Sequence, residues 1–365
     1  MDLKDALLYK VRHAVSKIEW LDWEENVIAD YTSYENDGNI TFEKSSDIKR
    51  TSSISLINNL SQFVPYGSIV NMKAKYRLWT GINVLGNEFL YQKGVFVLGD
   101  PEAINSSEGQ SITINGSDKW ALIDGKMGGV LADTYQIPAG TDIITAMKSL
   151  LQLYGETKFN LLQMGIMAPY TITKDAGGTV ADLVKELALI MSYEVSYDQY
   201  GVFTGHPIID ALEKIVAWDY GVAYRNLITD IRRNPGWSKI FNYVKVVGAT
   251  ESGKTYKGVA RDDNIDSPTY VANPPLGIGQ KAKNITANEL YSDEQCVDRA
   301  KFELTQGLKA DDRVTLKIVP NPSHEDDEVI SLNDESTGAI GNHEIQRISE
   351  SLDGTDMTLE VWRVR

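Results

Sequence analysis

The eight residues Gly248-Ala249-Thr250-Glu251-Ser252-Gly253-Lys254-Thr255 match the phosphate-loop pattern G-x-x-x-x-G-K-[ST] at every fixed position. In a nucleotide site, backbone N–H groups would wrap a phosphate, Lys254 would supply countercharge and Thr255 would hold Mg²⁺. That chemistry needs a helix beginning at Lys254, because a helix N-terminus supplies much of the anion field. The residues that follow, Tyr256-Lys257-Gly258-Val259-Ala260-Arg261, alternate and are rich in strand formers, which predicts a strand. Glu251 would also repel phosphate. Gly248, Gly253, Lys254 and Thr255 are therefore read as a β-hairpin whose polar tip fits a permissive pattern.

Other reactive residue types are sparse. Cys296, the single cysteine, falls in the first turn of a predicted helix. A helix N-terminus would favour its thiolate, but a packed cysteine is the preferred reading. His13, His206, His324 and His343 have neither i, i+4 spacing nor a neighbouring cysteine, so no metal ligand set is expected. The run His324-Glu325-Asp326-Asp327-Glu328, after Pro320-Asn321-Pro322, reads as an exposed, solvated turn. Asp262-Asp263-Asn264 and Asp311-Asp312 also read as turns without a catalytic partner. No catalytic residue, metal or cofactor is expected, and the chain is not read as an enzyme.

The elements that hold these residues are mostly strands. The 365 residues suffice for two or more domains, and 42% hydrophobic with 24% charged residues is a globular composition. Residues 1–19 are predicted as a short helix or arm, with Ala6, Leu7, Val11, Ala14, Val15 and Ile18 on one side. Residues 20–140 alternate with period two in 39–44, 51–57, 68–80, 88–98 and 110–114, indicating a barrel or sandwich. Residues 141–241 hold a helix after Thr141-Asp142 ending near Gly155, a second with Thr179 as N-cap, and a hairpin turning at Asp198-Gln199-Tyr200-Gly201. Residues 242–365 return to strands around one helix, which starts at Ser292 with a capping-box partner in Gln295 and stops at Gly307. The fold class expected is α+β, mainly β.

Net charge is −15, from 36 Lys and Arg against 51 Asp and Glu. That balance argues against wrapping nucleic acid, which needs clustered cations to displace counterions. Charges at Asp2, Lys4, Asp5, Lys10 and Arg12 break any secretory core, and no stretch reaches the roughly 20 apolar residues of a membrane span.

The order of these patterns resembles the hub proteins of phage baseplates and related contractile injection machines. The phrase Ser111-Ile112-Thr113-Ile114-Asn115-Gly116-Ser117-Asp118-Lys119-Trp120-Ala121-Leu122 is similar to the close of that family's first β-domain. Thr179 to Phe203 looks like its helix, strand, Asp-x-x-Gly, strand unit, and Asn242-Tyr243-Val244-Lys245-Val246-Val247-Gly248 like the opening of its second β-domain. The resemblance spans about residues 38–365. It implies two tail-tube-like β-domains flanking a helix–hairpin α/β region, in a structural virion protein made in the host cytoplasm. Three copies would form a ring joining the tail tube or distal tail protein and the tape-measure protein to a spike or tail-fibre protein. DNA would be present only in transit, along an acidic lumen, and no membrane insertion is implied. With Arg365 following the last strand, no hydrolase or fibre extension is expected. Two other readings stay open: a nucleotide-binding enzyme using 248–255, and a carbohydrate-binding β-module in which Trp79, Trp120 or Trp218 lines one groove.

Overall fold

A segment that alternates apolar and polar residues can bury one face of a strand while wetting the other, and most of this chain does so. The computed structural model describes residues 1–364 except 34–36, 59–62, 108, 239, 252, 289 and 310–311. It is an α+β protein built mainly of strands.

The N-terminal helix is short. Helix α1 is Leu3–Leu7, capped by Asp2, and the residues expected to prolong it form strand β1, His13–Leu21. In that strand Ser16, Ile18 and Trp20 are buried between half-exposed Lys17 and Glu19, a period-two signal that the helical reading overlooked.

The first β-rich part continues with β2 (Val27–Ser33), β3 (Asp37–Glu43), β4 (Arg50–Ile57), β5 (Lys75–Val84), β6 (Asn87–Leu98), β7 (Glu102–Ser106) and β8 (Gly109–Asp118). A helix–hairpin unit follows. It comprises β9 (Tyr135–Ile137), α2 (Ile143–Leu153), β10 (Phe159–Leu161), β11 (Ile172–Lys174), α3 (Val180–Ile190), β12 (Tyr193–Tyr197) and β13 (Phe203–Pro207). Its helices start where the sequence indicates, the second at the cap expected, Thr179, and the first at Asp142. Asp142 Oδ1 accepts the Thr145 N–H at 2.8 Å and Thr179 Oγ1 that of Asp182 at 3.1 Å. The buried stripe of α3, including Leu183, Val184 and Leu187, joins Ile144, Met147 and Leu151 of α2 in one core.

Beyond it lie β14 (Val216–Asp219), β15 (Ile228–Arg233), β16 (Tyr243–Glu251), β17 (Lys254–Arg261), β18 (Ala282–Thr286), α4 (Asp293–Lys309), β19 (Arg313–Ile318), β20 (Val329–Asp334), β21 (Ala339–Ser351) and β22 (Met357–Arg363). Strands from both ends of the chain share one 14-stranded sheet, along the path β15-β19-β22-β21-β3-β4-β8-β6-β5-β1-β2. The halves meet where β3 pairs antiparallel with β21, Glu43 opposite Arg347 through Asn39 opposite Ser351. On one face of this centre Phe42, Ile54, Ile114 and Ile348 are buried. The other carries rows of hydroxyl and amide side chains: Thr358, Ser349, Thr41, Thr51 and Ser117 stand in register, as do Ser351, Asn39, Ser53 and Asn115.

Two divisions differ from the sequence reading. Strands β14 and β15, expected within the helix–hairpin region, pair with β20 and β19 of the large sheet. Both are short and each pairing carries a register shift, which blurs the alternation. The segment from Asn242, expected to open the second β-domain, forms instead a separate three-stranded sheet, β17-β16-β18, covered by α4. This small α/β unit is inserted between β15 and β19, which pair with each other.

Helix α4 lies close on that sheet because glycines face it. A Cβ on Gly258 would stand 2.2 Å from the backbone carbonyl carbon of Cys296, and one on Gly248 would stand 2.5 Å from the Leu290 oxygen. The helix also runs past Gly307, where it was expected to stop. The Phe241 ring fills the space beside that glycine, where a Cβ would come within 2.2 Å of it.

Gly258→Ala should therefore destabilise the inserted unit by about 1–3 kcal/mol, the range for overpacking a close contact. Gly253→Asn, at a hairpin residue with φ +82° and open space around it, should cost under about 1 kcal/mol. Urea unfolding followed by amide exchange across residues 243–309 compares the two.

Candidate functional site

The phosphate-loop residues sit on a hairpin. Gly248 lies within β16, Gly253 makes the turn, and Lys254 and Thr255 open β17, so a strand stands where the phosphate mechanism needs a helix. Thr255 Oγ1 lies 2.9 Å from Thr250 Oγ1. The Lys254 ammonium pairs with Asp293 Oδ2 at 3.1 Å and stacks 4.8 Å from the centre of the Tyr256 ring. Ser252 lies outside the described residues.

The other candidates scatter. Cys296 is fully buried in the small unit's core with Val244, Val246 and Ala300. Trp120 and Trp218 are buried in different cores, while half-buried Trp79 donates to Glu19 at 3.2 Å, so the three tryptophans line no common groove. His13 is exposed, and His206 Nδ1 reaches the Pro207 carbonyl at 2.9 Å. His343 is buried, and burial pushes its pKa down. Asp262 is a buried turn anchor, accepting the Ser267 hydroxyl at 2.5 Å and the Thr269 hydroxyl at 2.6 Å. Exposed Asp263 pairs with Arg261, and Asn264 closes the turn by donating its N–H to Asp262. Asp312 holds Arg233 through Nε at 2.6 Å and Nη2 at 3.0 Å. Asp311 lies outside the described residues.

The acidic run 324–328 is not a solvated turn. It docks onto cations of the first β-rich part. Arg50 reaches Glu325 at 3.2 Å and also pairs with Asp326, while Lys44 and Lys214 converge on Asp327 and on Glu344, the latter at 3.0 and 2.9 Å. Lys93 donates to the His324 carbonyl at 2.8 Å. The His324 ring is held between Glu328 Oε2 and the Tyr220 hydroxyl, each at 2.7 Å. Burial, reinforced by neighbouring Asp326, pushes the Glu325 carboxyl up to about 7 despite Lys93 and Arg50. Asp118, from the phrase that ends the first β-domain, accepts the Arg50 N–H at 3.0 Å and the Trp120 N–H at 2.9 Å. Burial raises it to about 6.

A second cluster ties the first β-rich part to the helix–hairpin unit. Glu25, in the turn between β1 and β2, meets Lys75 at 3.3 Å, Lys119 at 2.9 Å and Lys158 as well. Lys119 also pairs with Glu156 at 2.8 Å, donates to the Gly201 carbonyl at 2.8 Å and lies over the Tyr197 ring. Burial alone would raise the Glu25 carboxyl, but Lys119, Lys158 and Lys75 outweigh it and hold it near 2.

Sequence reasoning missed Glu25, Lys119, Arg50 and the role of 324–328, because their partners lie far along the chain. Only Asp118-Lys119-Trp120 stood inside a recognised phrase. Among the described residues no group of three His, Cys, Asp or Glu is placed to hold a metal ion. No described helix is long and apolar enough to cross a membrane. What these two clusters do is lock parts of the molecule in one orientation.

Glu25→Gln should cost about 3–5 kcal/mol at pH 7, since it strands buried lysines. The native Glu25 contribution, on the order of 3 kcal/mol, is complete above the usual carboxylate pKa of about 4.5 and fades as pH falls toward 2. Urea midpoints of the two proteins should thus converge at about pH 2; a constant gap from pH 7 to 2 contradicts this account.

No family model matches the sequence, and no curated protein matches it. Solved structures do match its shape. The 43 kDa tail protein of prophage MuSo2 from Shewanella oneidensis is 14% identical, with 96% of this chain and 98% of that chain covered and a TM-score of 0.65. A tail protein from Neisseria meningitidis MC58 is 11% identical, with 95% and 96% covered and a TM-score of 0.66. A chain of the Francisella PdpA-VgrG complex is 9% identical with a TM-score of 0.59, and 98% of this chain spans 59% of that one. Likenesses at these identities speak for architecture, and the architecture this chain adopts is that of phage tail proteins.

Proposed function

We propose that the chain is a structural hub of a phage-type tail tip. Three copies close into a ring that joins the tail tube to a spike or fibre assembly and lets DNA pass. In this reading the two β-rich parts act as tube-like units, and the helix–hairpin and inserted α/β units form the outer body that contacts neighbours such as the tape-measure protein. The protein works in the virion, after synthesis in the host cytoplasm, by geometry rather than by catalysis.

The observation that carries the proposal is the continuous sheet joining both ends of the chain across β3 and β21. Its path ends on β2 and β15, each paired on one side among the described residues. Open edges are templates for further pairing, and a heterologous edge-to-edge contact that closes makes a cyclic ring. The wet centre of the sheet presents two rows of uncharged hydroxyls and amides. The cations beside them, Arg347 and Lys317, are paired with Glu360 at 3.4 Å and Asp356 at 3.8 Å, which leaves little free positive charge to hold a passing polyanion. Those two rows carry no carboxylate, while Glu43 and Glu360 flank Arg347 in the next row of the same face.

Mass photometry with negative-stain microscopy tests the ring. Three-fold particles with a central channel are expected at high concentration. Val27→Lys with Ile28→Lys, at edge residues 51% and 48% exposed, should return them to monomers without changing the circular dichroism spectrum. Monomers at every concentration, alone and with the tail-tube protein, overturn the proposal.

A further inference from the structure

The loop between β19 and β20, residues 319–328, is acidic, yet none of its residues is exposed. It reaches from the second β-rich part onto the first, where its carboxylates meet an uneven set of partners. Arg50 pairs with Asp326 and stands 3.2 Å from Glu325 Oε2. Lys93 stands 3.8 Å from Glu325 Oε1 and 3.7 Å from Glu350 Oε2, on β21. Two cations, Arg50 and Lys93, thus face three carboxylates, Glu325, Asp326 and Glu350, in one chain of contacts. Their neighbours do not redress the balance. Lys44 and Lys214 are matched by Asp327 and Glu344, His324 is held by Glu328 and Tyr220, and Asp118 and Asp198 add negative charge beside Arg50.

The hydrogen bonding is uneven at the same place. The Arg50, Lys93 and Glu350 side chains are buried, and that of Glu325 is 22% exposed. Glu325 Oε2 and Glu350 Oε2 are enclosed without an aligned hydrogen-bond donor among the described residues. A buried carboxylate oxygen that lacks a donor is costly, and a surplus buried charge more so. A proton on Glu325 answers both, because it cancels the surplus charge and turns an acceptor-only group into one that also donates. Burial favours that proton, and neighbouring Asp326 adds to the effect, against Lys93 and Arg50, so the carboxyl is raised to about 7.

We propose that residues 319–328 form a latch between the two β-rich parts, closed by uptake of one proton on Glu325 and loosened when that proton leaves. A released Glu325 would titrate near the usual 4.5 and the docked one higher, so the proton binds the closed latch more tightly. Opening is therefore favoured as pH rises from about 4.5 to 7 and changes little beyond. Hydrogen exchange of peptides covering 319–328 in the intact protein, corrected for intrinsic rates, tests this. Exchange should quicken about tenfold from pH 5 to pH 8, a figure discounted for the partial exposure of Glu325. Glu325→Gln, neutral at every pH, should lose most of that response. Carbon-13 NMR of side-chain carboxyls should show a group titrating near pH 7 that is missing from the variant. Asp118 and His324 are untouched in Glu325→Gln, so an equal pH response there assigns the effect to them and overturns the proposal. Flat exchange in the wild type, which needs no variant, overturns it as well.

Discussion

The carboxylate of Glu25, taken out of water among lysines from three separate segments, sets the condition on which the assembled shape depends. A buried charge is costly unless its partners are correctly placed. Lys75 begins a strand, Lys119 follows another, and Lys158 follows a helix. Only one mutual orientation of these elements brings all three ammonium groups to one carboxylate. Arg50 and its neighbours repeat the arrangement against residues 324–328. Hydrophobic burial is non-directional; these clusters supply direction.

The apolar interior is divided accordingly. The first β-rich part, the second, the helix–hairpin unit and the inserted unit each have a core. The second core takes Leu3 and Leu7 from α1 and Phe42 and Val84 from the first part, so the large sheet is laced together at its middle. In the proposed hub role, stiff polar seams between separately packed blocks would pass load from one block to the next. Slippage at such a seam would expose unpaired charge before it exposed apolar surface.

Much of this was legible in the sequence because its causes are local. Alternation in 51–57 and 110–114, the caps at Asp142 and Thr179 and the turn at 198–201 need only neighbouring residues, and all appear where the sequence put them. The hairpin at 248–255 was legible for the same reason. The failures came where two periods overlap or partners are distant. Residues 13–21 fit a helical stripe loosely and a strand better, and only pairing with β2 and β5 decides. The run 324–328 carries the composition of a wet loop, and nothing nearby announces the cations that cover it. The insertion of residues 243–309 was hidden because β15 and β19, its bracketing strands, are short and separated by the whole unit.

The pairing of β3 with β21 bears on how the protein is made. Its partners lie roughly 300 residues apart, so at ribosomal rates of about 5–20 residues per second β3 waits about 15–60 s for its neighbour. Through that interval its far side is an open edge, with Asn39 and Thr41 on one face and Ile40 and Phe42 on the other, so it can template a wrong pairing until β21 covers it. The nascent chain can finish β4 through β8, and then the helix–hairpin unit, while this edge waits. Closure of the large sheet thus waits for β21, after every other element of the first β-rich part has been made.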